Sequence, residues 1–151
     1  PMLHPKMVDD SVQALIRDTS VNVANGIAPI KTQEEFEDPN EIKVVVNLEG
    51  YAIYFSREPI PSQSKWNSNV PMFKQVCIIP FRRDYLLQYN ETPQTPMEKI
   101  ESIDMLRTIE TGGKILMVPM SHETLSIDTP YDLERVKEAM KSDYLREKYE
   151  N

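Results

Sequence analysis

An α/β fold is predicted for this chain by three observations. Amphipathic helical stretches are interspersed with short β-branched runs. One run, Gln75 to Pro80, is nearly continuously apolar, as in a strand buried on both faces. Two proline-headed caps, Thr95-Pro96-Met97-Glu98 and Thr129-Pro130-Tyr131-Asp132, mark helix starts. The 151 residues are expected to form one domain, 1–151, large enough to bury a core.

Pro5 suits the first position of a helix over 5–17, with Met7, Val8, Val12, Leu15 and Ile16 at helical spacing. Val21 to Ile30 reads as a strand, and Gln33 to Pro39 as a short helical turn and then a loop. Lys43 to Asn47 and Tyr51 to Ser56 are strands across the turn Leu48-Glu49-Gly50, which makes a hairpin. Prolines 59, 61 and 71 make 58–73 an extended loop or arm. A short helix is predicted over Arg83 to Tyr89. A longer one runs from Pro96 to about Glu110, with Ile100, Ile103, Leu106, Arg107 and Ile109 inward and Gly112-Gly113 as its stop. Lys114 to Pro119 is a strand, Pro130 opens the last helix, and the charged tail 141–151 is expected at the surface or frayed.

Composition excludes several classes. A net charge of −7 argues against a nucleic acid polymer as partner, because such proteins present basic patches to phosphates. Small anions remain possible, since a few local cations suffice for them. With four glycines against twelve prolines, no glycine-rich phosphate loop is present. The single cysteine, Cys77, lies in an apolar run and reads as a small core residue rather than a nucleophile. One cysteine permits no disulfide within the chain, which fits a reducing, cytoplasmic setting. No signal peptide or membrane-spanning stretch is apparent, so no membrane partner is expected.

Four stretches, in one order, resemble the CMP-Kdo synthetase (3-deoxy-manno-octulosonate cytidylyltransferase) family. They are Asp38-Pro39-Asn40-Glu41-Ile42-Lys43-Val44-Val45; Gly50-Tyr51-Ala52-Ile53-Tyr54-Phe55-Ser56-Arg57-Glu58-Pro59-Ile60-Pro61; Pro96-Met97-Glu98-Lys99-Ile100-Glu101-Ser102-Ile103-Asp104-Met105-Leu106-Arg107; and Ile127-Asp128-Thr129-Pro130-Tyr131-Asp132-Leu133-Glu134-Arg135-Val136. The resemblance implies a partial Rossmann-like nucleotidyltransferase sheet with a protruding β-hairpin arm. It implies transfer of CMP from CTP to a 3-deoxy-ulosonic acid such as Kdo, with Mg²⁺ as cofactor and a homodimer as the assembly, in lipopolysaccharide or capsule synthesis. Pro1-Met2-Leu3 is similar to the family's segment just after its first metal-binding aspartate. The chain is therefore expected to be the C-terminal part, without the N-terminal nucleotide-binding segment and inactive alone. The alternatives are an inactive sugar-binding or dimerisation fragment and a cytidylyltransferase for another acid sugar.

Six residues are candidates for the site. Asp128 precedes a Thr-Pro helix start; the resemblance makes it a catalytic Mg²⁺ ligand, and the plain alternative is a second helix-capping acid. Arg57, at a strand end beside the proline loop, can clamp a sugar carboxylate with two parallel hydrogen bonds, or form a surface ion pair. Glu98 is the capping-box acid, and Glu101, one turn on, can face a pocket and accept bonds from sugar hydroxyls. Lys43 is a further substrate-binding candidate, with Glu41 and Glu49 as possible structural partners. At Gln75 and Ile79 the sequence departs from the family, which has histidine and tyrosine there; both would touch the sugar, so Gln75 bears on which sugar is bound. His4 and His122 have no metal-ligand spacing and read as surface residues.

Overall fold

A computed structural model describes residues 2–64, 71–122, 124–127 and 129–149. The described elements are α1 (Pro5–Arg17), β1 (Val23–Pro29), α2 (Gln33–Glu37), β2 (Lys43–Val46), β3 (Ala52–Ser56), β4 (Phe73–Val76), α3 (Arg83–Glu91), α4 (Pro96–Glu101), α5 (Met105–Glu110), β5 (Ile115–Pro119), α6 (Pro130–Met140) and α7 (Tyr144–Tyr149). The strands form one mixed, open sheet in the order β3-β2-β4-β1-β5. Only β1 and β5 run parallel; the other pairs are antiparallel.

The hairpin expected as an arm is β2–β3, and it forms the sheet's edge. Gly50 adopts φ +88°, the left-handed conformation its turn requires, and the Asn47 side chain accepts from the amides of Glu49 and Tyr51. The turn reaches the opposite edge of the sheet: Met117 N donates to Gly50 O at 2.9 Å, and Tyr51 bridges Leu116.

One core lies on one side, formed by Val23, Ile27, Val44, Phe55, Ile103, Met105, Leu106 and Ile115. A smaller core packs Leu15 of α1 against Val21, Ala24 and Val118. The inward line of α1 is Met7, Ser11 and Leu15, spaced i, i+4, i+8. Val8, Val12 and Ile16 lie on the adjacent line and stay exposed, contrary to the expected five-residue stripe. Ser11 is admitted to the buried line because its hydroxyl donates back to Met7 O. Arg82 closes this side: its guanidinium donates to Leu15 O, Asp18 O and Val21 O, joining the C-terminal end of α1 to the start of β1.

Several further expectations are corrected by the structure. The strand at 75–80 ends at Val76, and Cys77 is exposed, so it is not a core residue. Beyond Val76 the segment bonds to β1 on one side, through Ile78 O and Pro80 O. His4 and His122, expected as separate surface residues, stack at 3.9 Å, and His4 Nδ1 accepts from Lys6 N to cap α1. The tail is not wholly frayed: α7 forms and Leu145 is buried.

The segment 96–110, expected as one helix, is two. Ser102 is left-handed (φ 55°, ψ 47°) and turns the chain between α4 and α5. Ile100 is consequently exposed, whereas Ile103, Met105 and Leu106 enter the core. The return brings Glu110 onto the first amides of α4, where it accepts from Met97 N and Glu98 N at 3.1–3.2 Å. A continuous helix would hold those residues about 20 Å apart. Inside the corner, Arg107 donates to both oxygens of Glu98 and to Tyr89 O and Thr92 O, and its guanidinium stacks on the Tyr89 ring. No helix of the described residues is long and apolar enough to cross a membrane.

Stability should therefore depend on this corner. Arg107→Leu leaves the buried Glu98 carboxylate without its partner and should cost about 3–5 kcal/mol in urea unfolding. An unchanged midpoint would show that the corner does not depend on this pair. Arg107 holds the Glu98 carboxyl below its ordinary 4.5. Since the folded value is depressed, this contribution is present above pH 4.5 and is lost as the pH falls through the lowered value.

Candidate functional site

The candidate site grows from the end of β3. Ser56 is the last strand residue and pairs with Lys43, so Arg57 falls level with Ile42 by register. On its other side β2 pairs Lys43 with Lys74, which sets Gln75 level with Ile42 too, and Gln75 N donates to Ile42 O at 2.8 Å. Gln75 and Ile27 are cross-strand partners, Ile42 bonds to Gln75, and Arg57 follows the end of β3.

Arg57 is held from both ends of its side chain. Its backbone N donates to Glu101 Oε2 at 2.9 Å. Its guanidinium donates to three carbonyls: Nε to Glu101 at 2.8 Å, one terminal nitrogen to Pro39 at 2.8 Å, the other to Ser102 at 3.1 Å. Among the described residues, no carboxylate forms an ion pair with it. Carbonyls fix a guanidinium without neutralising it, and two of its five N–H donors remain unspent. The expected surface ion pair is absent among the described residues.

Glu101 sits where α4 ends, with its carboxylate turned to the hairpin. Oε1 accepts from Ser56 Oγ at 2.8 Å and from the Tyr54 hydroxyl at 3.2 Å. With Oε2 on Arg57 N, both oxygens are committed to protein partners. Burial, and then the Glu101 carboxylate, push the Tyr54 phenol up. Glu98 is 4% exposed and engaged by Arg107 and by Thr95 N, which it caps. A cleft of about 320 Å³ is lined by Gln94, Glu98, Lys99, Ser102, Ile103 and Asp104.

Lys43 opens β2 and pairs with Ser56 on one side and Lys74 on the other. It is fully buried and Nζ donates to Asp38 O at 2.8 Å. Burial pulls its amine down, against the pull of Asp38 and Glu41 upward. The expected pairing with Glu41 does not form: Glu41 takes Lys74 instead, at 2.8 Å, and Lys74 also reaches Glu35. Lys43 and Arg57 thus grip the carbonyls of adjacent residues, Asp38 and Pro39.

Gln75 is half-buried, and its Nε2 donates to Asn25 Oδ1 at 2.6 Å. Ile79 packs against the main core. Asp128 lies outside the described residues. Next to it, Thr129 and Asp132 complete the predicted capping box: Thr129 Oγ1 accepts from Asp132 N, and Asp132 Oδ2 accepts from Thr129 N. The structure thus gathers Arg57 and Glu101 directly and sets Gln75 two strands away on β4. It gives Glu98 to the corner and Lys43 to the loop. Sequence reasoning missed Asn25, Tyr54 and Ser56. The signals were a carboxamide inside an apolar strand and hydroxyls placed just before Arg57.

Release of Arg57 is measurable. Glu101→Ala should remove the acceptor of its amide and of two hydroxyls, so hydrogen exchange at Arg57 N should accelerate about tenfold, the equivalent of one lost bond. Exchange unchanged from the parent would mean that the carboxylate does not hold this strand end.

Comparisons with known proteins agree on one family. The family described as Cytidylyltransferase matches residues 1–116. The 3-deoxy-manno-octulosonate cytidylyltransferase of Geobacter sulfurreducens is 36% identical, over 93% of this chain and 60% of the relative. That of Solibacter usitatus is 38% identical, over 97% and 58%. A solved structure of CMP:2-keto-3-deoxy-manno-octonic acid synthetase complexed with CTP matches with TM-score 0.84 and 34% identity, covering 93% of this chain and 58% of that one. The chain spans about 60% of the length of the curated relatives it matches.

Proposed function

The chain belongs to the cytidylyltransferase family, and from that premise we propose that the whole protein transfers CMP from CTP to a 3-deoxy-ulosonic acid of the Kdo type. In this reaction the anomeric hydroxyl attacks the α-phosphorus of CTP. A new P–O bond forms, the bond to the β-phosphate oxygen breaks, pyrophosphate leaves, and the hydroxyl proton is lost to solvent. CTP and the acid sugar are taken from the names of the relative and of the solved structure. The setting we propose is cytoplasmic, where CTP is made, and the product would serve lipopolysaccharide or capsule synthesis.

One observation carries the assignment of the sugar side to this chain. Arg57 is a guanidinium fixed by three carbonyls, with its terminal nitrogens at the surface and no carboxylate paired to it among the described residues. Such a group suits the carboxylate of an acid sugar, which it can meet with its remaining N–H donors. Glu101 positions it through the strand end. Lys43 supports the site indirectly by anchoring the Asp38 carbonyl beside Pro39. Glu98 supports it by holding the corner from which Glu101 projects, and we assign Gln75, two strands away on β4, to the sugar as well. Little proton chemistry is asked of these side chains; positioning of two anionic substrates is their contribution.

Mg²⁺ is proposed as the cofactor, with Asp128 as the ligand this chain supplies. Among the described residues no three His, Cys, Asp or Glu side chains cluster to hold a metal. Mg²⁺ takes one or two carboxylates and completes its shell with phosphate oxygens and water. The α6 cap is already complete with Thr129 and Asp132, so Asp128 is not needed there. When bound, the ion would neutralise phosphate charge.

Arg57→Gln in the whole protein should raise KM for the acid sugar by about 10²-fold, in line with a lost charge-assisted bidentate pair, and leave KM for CTP unchanged. Equal effects on both substrates would remove Arg57 from the sugar side. Asp128→Asn should lower kcat by orders of magnitude with little change in Tm; retained activity at the parent Mg²⁺ dependence would make Asp128 a cap only. We also propose a homodimer formed through the hairpin, because Leu48 is wholly exposed and Ile53 half exposed there. Sedimentation should show a dimer at micromolar concentration that Ile53→Asp converts to monomer. A parent protein that sediments as a monomer would reject it.

A further inference from the structure

We infer that Lys43, a lysine sealed from solvent, is the positioning residue that fixes the direction of the Arg57 guanidinium. The inference rests on the acid-sugar reading above. It makes affinity for the acid depend on a side chain that lies behind the site.

Lys43 is fully buried, at the head of a strand whose other residues are valines. A valine would fill the same place with no charge to accommodate. Burying an ammonium is costly unless it is paired and hydrogen-bonded throughout. Here it is neither. Among the described residues no carboxylate forms an ion pair with it. Of the three donors on Nζ one is spent, on Asp38 O at 2.8 Å. Burial pulls the amine down, Asp38, Glu41 and Glu58 pull it up, and Arg57 pulls it down again. The last effect marks Arg57 as a neighbour within range of its charge. What the amine adds to the strand is its one bond.

That bond falls where Arg57 needs it. Arg57 donates to Pro39 O at 2.8 Å, the next carbonyl along the chain from the one Lys43 holds. The other two carbonyls on the guanidinium, those of Glu101 and Ser102, come from the corner between α4 and α5. Two bonds from one side define an axis about which a planar group can still swing. The third, from the loop after α2, stops the swing. The other bonds of Asp38 are local: its amide donates to Glu34 O, and its oxygens accept from the amides of Asn40 and Glu41. Lys43 ties this turn to β2. Its backbone serves the same end, since it is the cross-strand partner of Ser56, the residue before Arg57. Lys43 therefore meets both supports of Arg57, the strand end through its backbone and the loop through its amine.

The test is made in the whole protein. Nitrogen-15 NMR reads the Arg57 Nε–H directly, and Arg57→Gln identifies the signal. Lys43→Met removes the donor and keeps a long side chain. It should speed exchange of this proton about threefold, a fraction of one hydrogen bond. By titration calorimetry the same variant should weaken Kd for Kdo about threefold and leave Kd for CTP unchanged. The double variant Lys43→Met/Arg57→Gln should bind Kdo no more weakly than Arg57→Gln alone, since Lys43 acts only through Arg57. Lys43→Leu serves as the second variant should the methionine perturb folding, with the same expectations. The inference is overturned if Nε–H exchange is unchanged, if both ligands weaken alike, or if the Lys43 effect persists in full in the Arg57→Gln background. An Arg57→Gln variant with unchanged Kd for Kdo would remove the acid-sugar reading instead. Faster Nε–H exchange in Lys43→Met would then still identify Lys43 as the residue that fixes the guanidinium.

Discussion

Arg107 places its donors in a space enclosed by three elements. It meets both oxygens of Glu98 in α4, the carbonyls of Tyr89 and Thr92 at the end of α3, and the Tyr89 ring. The Tyr89 hydroxyl donates in turn to Asp104 O, and burial pushes it up to about 12, so it stays a donor at any physiological pH. Ser102 can remain left-handed because these bonds fix the chain on either side of it. The corner sends the carbonyls of Glu101 and Ser102 toward Arg57 and the Glu101 carboxylate toward the hairpin. Without it, one straight helix would carry Glu101 on past β3, and Arg57 would lose two of its three carbonyl partners.

Much of this fold was legible in local chemistry. Pro5 and its apolar spacing set the bounds of α1, and both capping sequences open helices where their prolines stand. The hairpin was legible in β-branched runs across Gly50. The break at Ser102 was not. Ser102 is no special turn former, and Ile100, Ile103 and Leu106 continue a helical period across it. The decisive partners, Glu110 on the α4 amides and Arg107 on Glu98, lie 9–13 residues away, and only the tertiary return brings them together. Cys77 was misplaced for a related reason. An apolar run marks a strand, but pairing partners decide where it ends, and β2 reaches only as far as Lys74 along β4.

The candidate site was legible in its charged members and not in its neutral ones. Arg57, Glu101 and Gln75 could be singled out because charged and polar groups beside strand ends are conspicuous. Which of them faces a ligand and which supports it depends on pairing. Glu98 and Glu101 are three residues apart on one short helix, yet one is spent on a guanidinium and the other on two hydroxyls and an amide. Asn25 was passed over because a single carboxamide in an apolar strand resembles an ordinary interruption. Its meaning lies in Val76 O and Gln75, which are about fifty residues away in the chain.

In a chain of net charge −7, a cation is open to an anionic ligand only where it stays out of ordinary ion pairs. Three Arg residues show how. Arg107 is matched by a carboxylate and is electrostatically spent. Arg82 is held by carbonyls, but these include the end of α1, a thirteen-residue helix whose negative pole consumes the charge, and its bonds are part-buried. Arg57 is also held by carbonyls, two of them at the end of a helix less than half as long, and its terminal nitrogens lie at the surface. Of the three it alone combines a fixed direction, an unpaired charge and access. That combination, rather than the overall balance of charge, is what would let an acidic protein receive an acid.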